Sequence, residues 1–298
     1  MIEVNGLNKS FDSFQALSNL SIHVKKGSIY GLVGTNGSGK TTLIKHVTGV
    51  LRPDSGTITV DGQPAYDNEA VKVRMGYVPD DLYFFGAYTL KDAAAFYRSL
   101  FPLWNEERYL EMIRLFDLDV KRKLSRFSKG MQKQAAFILT MSAMPDYLIL
   151  DEPIDGLDPI IRKLVWKYVV DDVAEREMTV LVSSHNLREM EGICDSIGIL
   201  NHGHLIIERD LDELKSDIHK VQVAFRERKE DRYAGLNVLH MESRGAVDLL
   251  IIRDKKETVE ELINKQEPVL FDLLPLSLEE IFIYELGGGN SEIESILF

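Results

Sequence analysis

Short apolar runs separated by turn residues recur over the first 60 positions, at residues 2–4, 20–24, 29–33 and 57–60. Runs of this length, bounded by Gly, Pro and Asp, predict strands, and Pro53-Asp54-Ser55-Gly56 and Asp61-Gly62 are strong turn signals beside them. The period then changes. Residues 91–100, 106–116 and 131–143 carry apolar side chains three and four apart, which predicts helices with one buried face. Three uninterrupted apolar runs follow, at 147–150, 179–182 and 197–200. Continuous rather than alternating runs, interleaved with helices, predict a mostly parallel sheet covered on both faces. Beyond about residue 210 the pattern shifts again, to strand-like runs at 221–225, 237–241, 247–252 and 269–274. Two helix starts there carry capping boxes, Thr258 with Glu261 and Ser277 with Glu280. The expected division is 1–210, with a helical part at about 91–144, and a compact α+β domain over 211–298. The glycines at 287–289, with Asn290, predict a flexible stretch.

One segment breaks the pattern with chemistry of its own. Residues 34–42 read GTNGSGKTT, between the apolar run at 29–33 and a helix expected from Thr42 to near Gly49. Strand, glycine-rich loop and helix in that order define a phosphate-binding loop. Gly34, Gly37 and Gly39 let successive N–H groups turn inward toward phosphate oxygens, and the helix start adds its positive dipole end. Lys40 can reach the β- and γ-phosphates, and the Thr41 hydroxyl can hold Mg²⁺. The candidate nucleotide contacts are Gly34, Asn36, Gly37, Ser38, Gly39, Lys40, Thr41 and Thr42, and the expected ligand is a nucleoside triphosphate.

Further along, the run at 147–150 ends in Asp151 and Glu152. A carboxylate at a strand tip suits a Mg²⁺ ligand, which is Asp151 here. Glu152, one residue on, is placed to polarise a water lined up with the γ-phosphate. The run at 179–182 leads through Ser183 and Ser184 to His185, whose imidazole would orient that water from a third strand tip. Ser128 and Gly130 open a helix about twenty residues before the acidic strand and offer a second anion site, although a plain helix cap would leave the same pattern.

Across roughly residues 1–210 these motifs, in this order and spacing, resemble the nucleotide-binding subunit of ATP-binding-cassette (ABC) transporters. The resemblance makes GTNGSGKTT the Walker A loop, LILDE the Walker B strand, FSKGM the signature, residues 154–158 the D-loop with Asp158, and His185 the switch histidine. It implies an α/β P-loop NTPase core with a helical subdomain, followed by a small C-terminal α+β accessory domain. It implies ATP and Mg²⁺ as cofactors and places an aromatic, here Phe11, against adenine. It also implies a second ATPase subunit, identical or related, so that each ATP lies between the Walker loop of one copy and Ser128 and Gly130 of the other. Two positions depart from the family pattern. Asp80 stands where glutamine is usual; it can ligate Mg²⁺ but adds a negative charge beside the γ-phosphate. The signature carries Lys129 and Met131 in place of glycine and glutamine.

The chain has 298 residues, 45% hydrophobic and 28% charged, and no run of 18 uncharged apolar residues to span a membrane. The opening residues lack a signal-peptide pattern. The resemblance therefore implies a separate membrane permease, with this chain on the cytoplasmic face of the membrane. Residues 82–90, LYFFGAYTL, suit either a groove for a helix of that partner or the packing between subdomains. A single cysteine, Cys194, excludes an internal disulfide and reads as a small buried apolar residue. The net charge of −12 divides into −4 over residues 1–210 (24 Lys+Arg, 28 Asp+Glu) and −8 over 211–298 (11 and 19). Such an acidic second part argues against a nucleic-acid surface there. The ending LSLEEIF is similar to that of exporter ATPases for drugs, antimicrobial peptides or peptide toxins. Leu278, Ile281, Phe282 and Leu286 share one helical face, for a dimer contact or for packing on their own sheet. An ABC ATPase of translation or DNA repair, and an ATP-sensing regulatory module, are the competing readings.

Overall fold

A computed structural model describes residues 1–227 and 232–286; the glycine stretch at 287–290 lies outside the described residues. The chain runs β1 (Ile2–Phe11), β2 (Phe14–Val24), β3 (Ile29–Val33), α1 (Lys40–Val47), β4 (Ser55–Val60), β5 (Gln63–Pro64), α2 (Glu69–Lys72) and β6 (Met75–Val78). It continues through α3 (Leu90–Leu100), α4 (Glu106–Phe116), α5 (Lys129–Ser142), β7 (Tyr147–Asp151), α6 (Pro159–Arg176), β8 (Thr179–Ser184), α7 (Leu187–Met190), β9 (Ser196–Asn201) and β10 (His204–Asp210). The remainder is α8 (Leu211–Asp217), β11 (Ile218–Ala224), β12 (Val238–Arg244), β13 (Val247–Arg253), α9 (Lys256–Asn264), β14 (Leu270–Leu274) and α10 (Leu278–Leu286). Residues 1–185 and 193–208 form one compact unit; 186–192 and the described residues from 209 onward form another.

The first unit holds two sheets, ordered β2-β1-β4-β5 and β10-β9-β3-β8-β7-β6. β1 pairs antiparallel with β2 and β4. In the second sheet β3 pairs parallel with β8 and β9, and β7 with β6 and β8. Every residue of β3, β7 and β8 is buried, which is why these strands read as continuous apolar runs. Leu43, Ile44 and Val47 of α1 join Tyr30, Leu32, Ile149 and Leu181 in the core between the sheets. Register fixes what lies at the strand tips. Val33 sits opposite Ser184, Asp151 opposite Ser183, and Val78 opposite Leu150. The segments beginning at Gly34, Glu152, His185 and Pro79 therefore leave the sheet at one end, the carboxyl end where parallel sheets bind ligands.

α3, α4 and α5 pack together, with Phe116 and Phe137 ring centroids 6.2 Å apart. Of the aromatics before α3, Tyr83 is 85% and Phe85 55% exposed, while Phe84 and Tyr88 are half-buried. Their rings cluster with Tyr88 and Phe96, with Phe85 5.0 Å from Tyr88 and 6.4 Å from Phe96. Cys194 is buried, and burial pushes its thiol up far from reactivity.

In the second unit an antiparallel sheet, ordered β12-β13-β11-β14, packs Val221, Val223, Leu250 and Ile252 against Val259 and Ile263 of α9. Ser277 and Glu280 form the expected capping box at the start of α10. Thr258 does not cap α9. The helix starts two residues earlier, with Lys255 as a cap that makes no side-chain bond, because β13 ends at Arg253 and the chain turns at once. Leu278, Ile281 and Phe282 are buried, with α10 against α7 and β12 and Tyr284 stacked on His240 at 5.0 Å. Leu278, Ile281 and Phe282 are thus covered within the chain, while the side chain of Leu286 lies outside those described.

Candidate nucleotide-binding site

The loop between β3 and α1 is shaped by its own backbone. Gly39 caps α1 with φ 110° and ψ 0°, and an added Cβ would lie 2.9 Å from Leu17 Cδ2 and 3.0 Å from the Ala16 carbonyl oxygen. A side chain there would meet both strain and contact, so the tight entry needs glycine. No side chain caps α1, so its first N–H groups remain available to an anion. The helix begins at Lys40, two residues before the expected Thr42. Lys40 is buried, and its Nζ donates to the Gly34 carbonyl at 2.7 Å and the Thr35 carbonyl at 3.2 Å. The Ser38 hydroxyl is also buried, without a hydrogen-bond partner. Asn36, Gly37 and Thr41 are exposed, and Thr42 is half-buried.

Facing this loop, Asp151 is fully buried at the end of β7. The Ser183 hydroxyl donates to Asp151 Oδ1 at 2.6 Å. Burial pushes the Asp151 carboxyl up from its ordinary range, against the opposing pull of the Ser183 and Thr41 hydroxyls and with further lift from Glu152 and Asp80. Asp151 Oδ2 is buried with no hydrogen-bond partner. An orphaned, buried carboxylate oxygen beside the Thr41 hydroxyl is the hard-oxygen pair that Mg²⁺ accepts, so the residues present fit that ion.

Glu152 gathers the rest of the site. Its Oε1 lies 3.3 Å from Lys40 Nζ, and its Oε2 lies 2.9 Å from His185 Nδ1 and accepts from the His185 N–H at 3.3 Å. A carboxylate only accepts, so His185 carries its proton on Nδ1 in this pairing. The Glu152 N–H donates to Ser183 Oγ at 3.0 Å, and the Glu152 carbonyl accepts from Lys133 Nζ at 2.7 Å. The backbone at Glu152 is left-handed, φ 48°, at a cost of roughly 1 kcal/mol for a residue with a Cβ. Single oxygens of Glu152 and Asp155 and a ring nitrogen of His185 lie within 4.8 Å of one another.

Asp80, the other candidate metal ligand, faces a lysine in this structure. Its Oδ1 accepts from Lys133 Nζ at 3.0 Å, and its side chain is 51% exposed. The negative charge expected beside the γ-phosphate is thus balanced within the chain. Lys133 and Ser183 were not singled out from sequence as site residues. The available signal for Lys133 was a lysine in the apolar stretch of α5, and for Ser183 a hydroxyl at the tip of a buried strand.

The remaining candidates sit apart from this cluster. Ser128 caps α5, its hydroxyl accepting from the Met131 N–H at 3.2 Å. At Gly130 a Cβ would lie 2.8 Å from the Gly156 carbonyl oxygen, so the signature packs on the segment that leads to Asp158. Asp158 caps α6, accepting from the Ile160 and Ile161 N–H groups. Phe11 ends β1 on the surface, with Lys9 Nζ 5.4 Å from its ring centroid.

Comparison with known proteins decides the family. The chain is 34% identical over 97% of its length to the ABC transporter ATP-binding protein YtrB of Bacillus subtilis, covering 99% of that protein. It belongs to the ABC transporter ATP-binding family. The family model described as ABC transporter matches residues 17–155 of this ABC ATPase. The ABC ATPase is also 32% identical to the bacitracin transport ATP-binding protein BcrA of Bacillus licheniformis, over 72% of this chain and 71% of that one. The dimeric structure of MJ0796, a bacterial ABC transporter cassette, shares its fold with a TM-score of 0.64 at 20% identity, over 71% of this chain and 99% of that one. The chain is an ATP-hydrolysing, nucleotide-binding subunit of the transporter class, and no described helix is long and apolar enough to cross a membrane.

Proposed function

We propose that this ATPase drives a separate membrane-spanning permease, and that hydrolysis occurs in a nucleotide clasped between two ATPase subunits. The observation that carries the reading is Glu152, held by Lys40, His185, Ser183 and Lys133 one residue after the buried Asp151. In this reading the Walker loop, with Gly34, Asn36, Gly37, Ser38, Gly39, Lys40, Thr41 and Thr42, grips the phosphates through its amides and the lysine. Thr41 and Asp151 would hold Mg²⁺, which when bound neutralises charge on the phosphate oxygens.

With ATP bound, Lys40 has phosphate oxygens to meet in place of carbonyls and Glu152. Glu152 is then freed to accept the proton of an attacking water, while His185 holds its other oxygen. Phe11 would stack on adenine. Ser128 and Gly130 of a facing copy would close the open side of the triphosphate and exclude water, with Asp158 at the join. The dimeric MJ0796 cassette, which shares the fold, supports this pairing. The name of BcrA and the similarity of the LSLEEIF ending support a peptide antibiotic or a drug as cargo, moved outward, with the subunit held at the cytoplasmic face of the membrane by its permease. Replacing Glu152 by Gln is expected to abolish steady hydrolysis while ATP stays bound. Undiminished turnover in that variant would remove Glu152 from its role.

A further inference from the structure

Lys40 and Lys133 are the buried lysines among the described residues, and the scheme above gives only Lys40 a contact with nucleotide. A buried ammonium is costly unless paired and hydrogen-bonded. Lys133 meets both conditions at one point: Nζ donates to the Glu152 carbonyl at 2.7 Å and to Asp80 Oδ1 at 3.0 Å. The other end of the same residue is tied as well, because the Glu152 N–H donates to Ser183 Oγ at 3.0 Å. Between these ties the backbone holds its left-handed φ of 48°. Relaxation toward an ordinary backbone region would swing the carbonyl away from a charged donor, and charge-assisted hydrogen bonds are the strong ones. The backbone of Glu152 in turn sets where its carboxylate stands, 3.3 Å from Lys40 and 2.9 Å from His185.

We propose that Lys133 is a positioning residue for hydrolysis: it locks the Glu152 backbone so that the carboxylate stays aimed at the phosphate site, with Asp80 as its counter-charge. Lys133 never touches the nucleotide in this scheme and acts only through Glu152. It also sits on α5, the helix that Ser128 caps, while Asp80 lies just past the tip of β6. One ion pair therefore ties the helical subdomain and the loop after β6 to the alignment of the base. Asp80, at the position where the family resemblance implies glutamine, faces this lysine. The proposal rests on Glu152 being the base.

The test is steady-state ATP hydrolysis by the full chain and its Lys133→Met, Lys133→Arg and Glu152→Gln variants, with kcat and KM for ATP read separately. Lys133→Met is expected to lower kcat about 10- to 100-fold, as a misplaced catalytic group does, while KM moves less than about threefold. Lys133→Arg keeps a charged donor and is expected to recover most of kcat. A Lys133→Met kcat within about twofold of the parent overturns the proposal. So does an equal loss of turnover and ATP affinity that Lys133→Arg fails to restore. Should Lys133→Met not fold, Lys133→Gln, which removes the charge and is one bond shorter, carries the same expectation. Full turnover in Glu152→Gln would remove the base and the proposal together. An inactive Glu152→Gln beside a fully active Lys133→Met would remove the positioning role alone.

Discussion

His46, on the buried face of α1, ties the phosphate-loop helix to acid stability. Its Nδ1 lies 2.7 Å from the Thr42 carbonyl, Nε2 is buried without a partner, and burial lowers its pKa from the ordinary value. The native state therefore resists the proton that the unfolded chain accepts. Stability from this group is complete above the unfolded pKa of about 6.5 and is lost as pH falls through it. Thermal melts at about pH 7.5 and pH 5.5 should show a smaller acid loss for His46→Gln than for the parent; an equal loss would place the acid limb elsewhere. At Gly130 a methyl group would press on the Gly156 carbonyl oxygen at 2.8 Å, so Gly130→Ala should lower ATP turnover at least severalfold by displacing the signature from the D-loop. Unchanged turnover would contradict that packing. Lys40, Asp151, Glu152 and His185 were legible as single residues because each sits at a strand tip or in a loop of fixed spacing. Lys133 and Ser183 were not, because they reach Glu152 across 19 and 31 residues of sequence that only the register of β7 and β8 and the placement of α5 close up.

Elements that carry a continuous apolar run or a clean helical period were the readable ones: β3, β7 and β8 are buried throughout, and α3 and α4 match the periodic segments nearly residue for residue. Local capping rules were less decisive. α3 has a box not expected from sequence, in which Thr89 Oγ accepts from the Asp92 N–H and the Asp92 carboxylate accepts from the Thr89 N–H, whereas α9, where one was expected, starts without a side-chain cap. Thr89→Ala should cost about 1 kcal/mol, seen as a lower melting temperature. The aromatic segment before α3 could not be assigned from composition, since rings that fill a core and rings that dock a partner read alike. Exposure separates them, with Tyr83 and Phe85 open to solvent around Tyr88 and Phe96. Replacing Tyr83 by Ala is expected to weaken co-purification with the permease and to leave ATP binding intact. Loss of both together would return the segment to a packing role.

For the molecule as a whole, the candidate phosphate-binding and carboxylate groups lie together in the first unit. Lys40, Asp151, Glu152 and His185 converge within the first unit, while Ser128 caps its own helix. The second unit buries Leu278, Ile281 and Phe282 in its own packing, and residues 211–298 carry −8 of the net charge of −12. In the proposed scheme nucleotide is the agent of pairing. The most direct measurement is the molar mass in solution of the Glu152→Gln variant, by light scattering, with and without ATP and Mg²⁺. Pairing through nucleotide predicts a single-subunit mass without ATP and twice that mass with it, reversed when ATP is removed. A variant that binds ATP yet keeps the single-subunit mass would contradict the account.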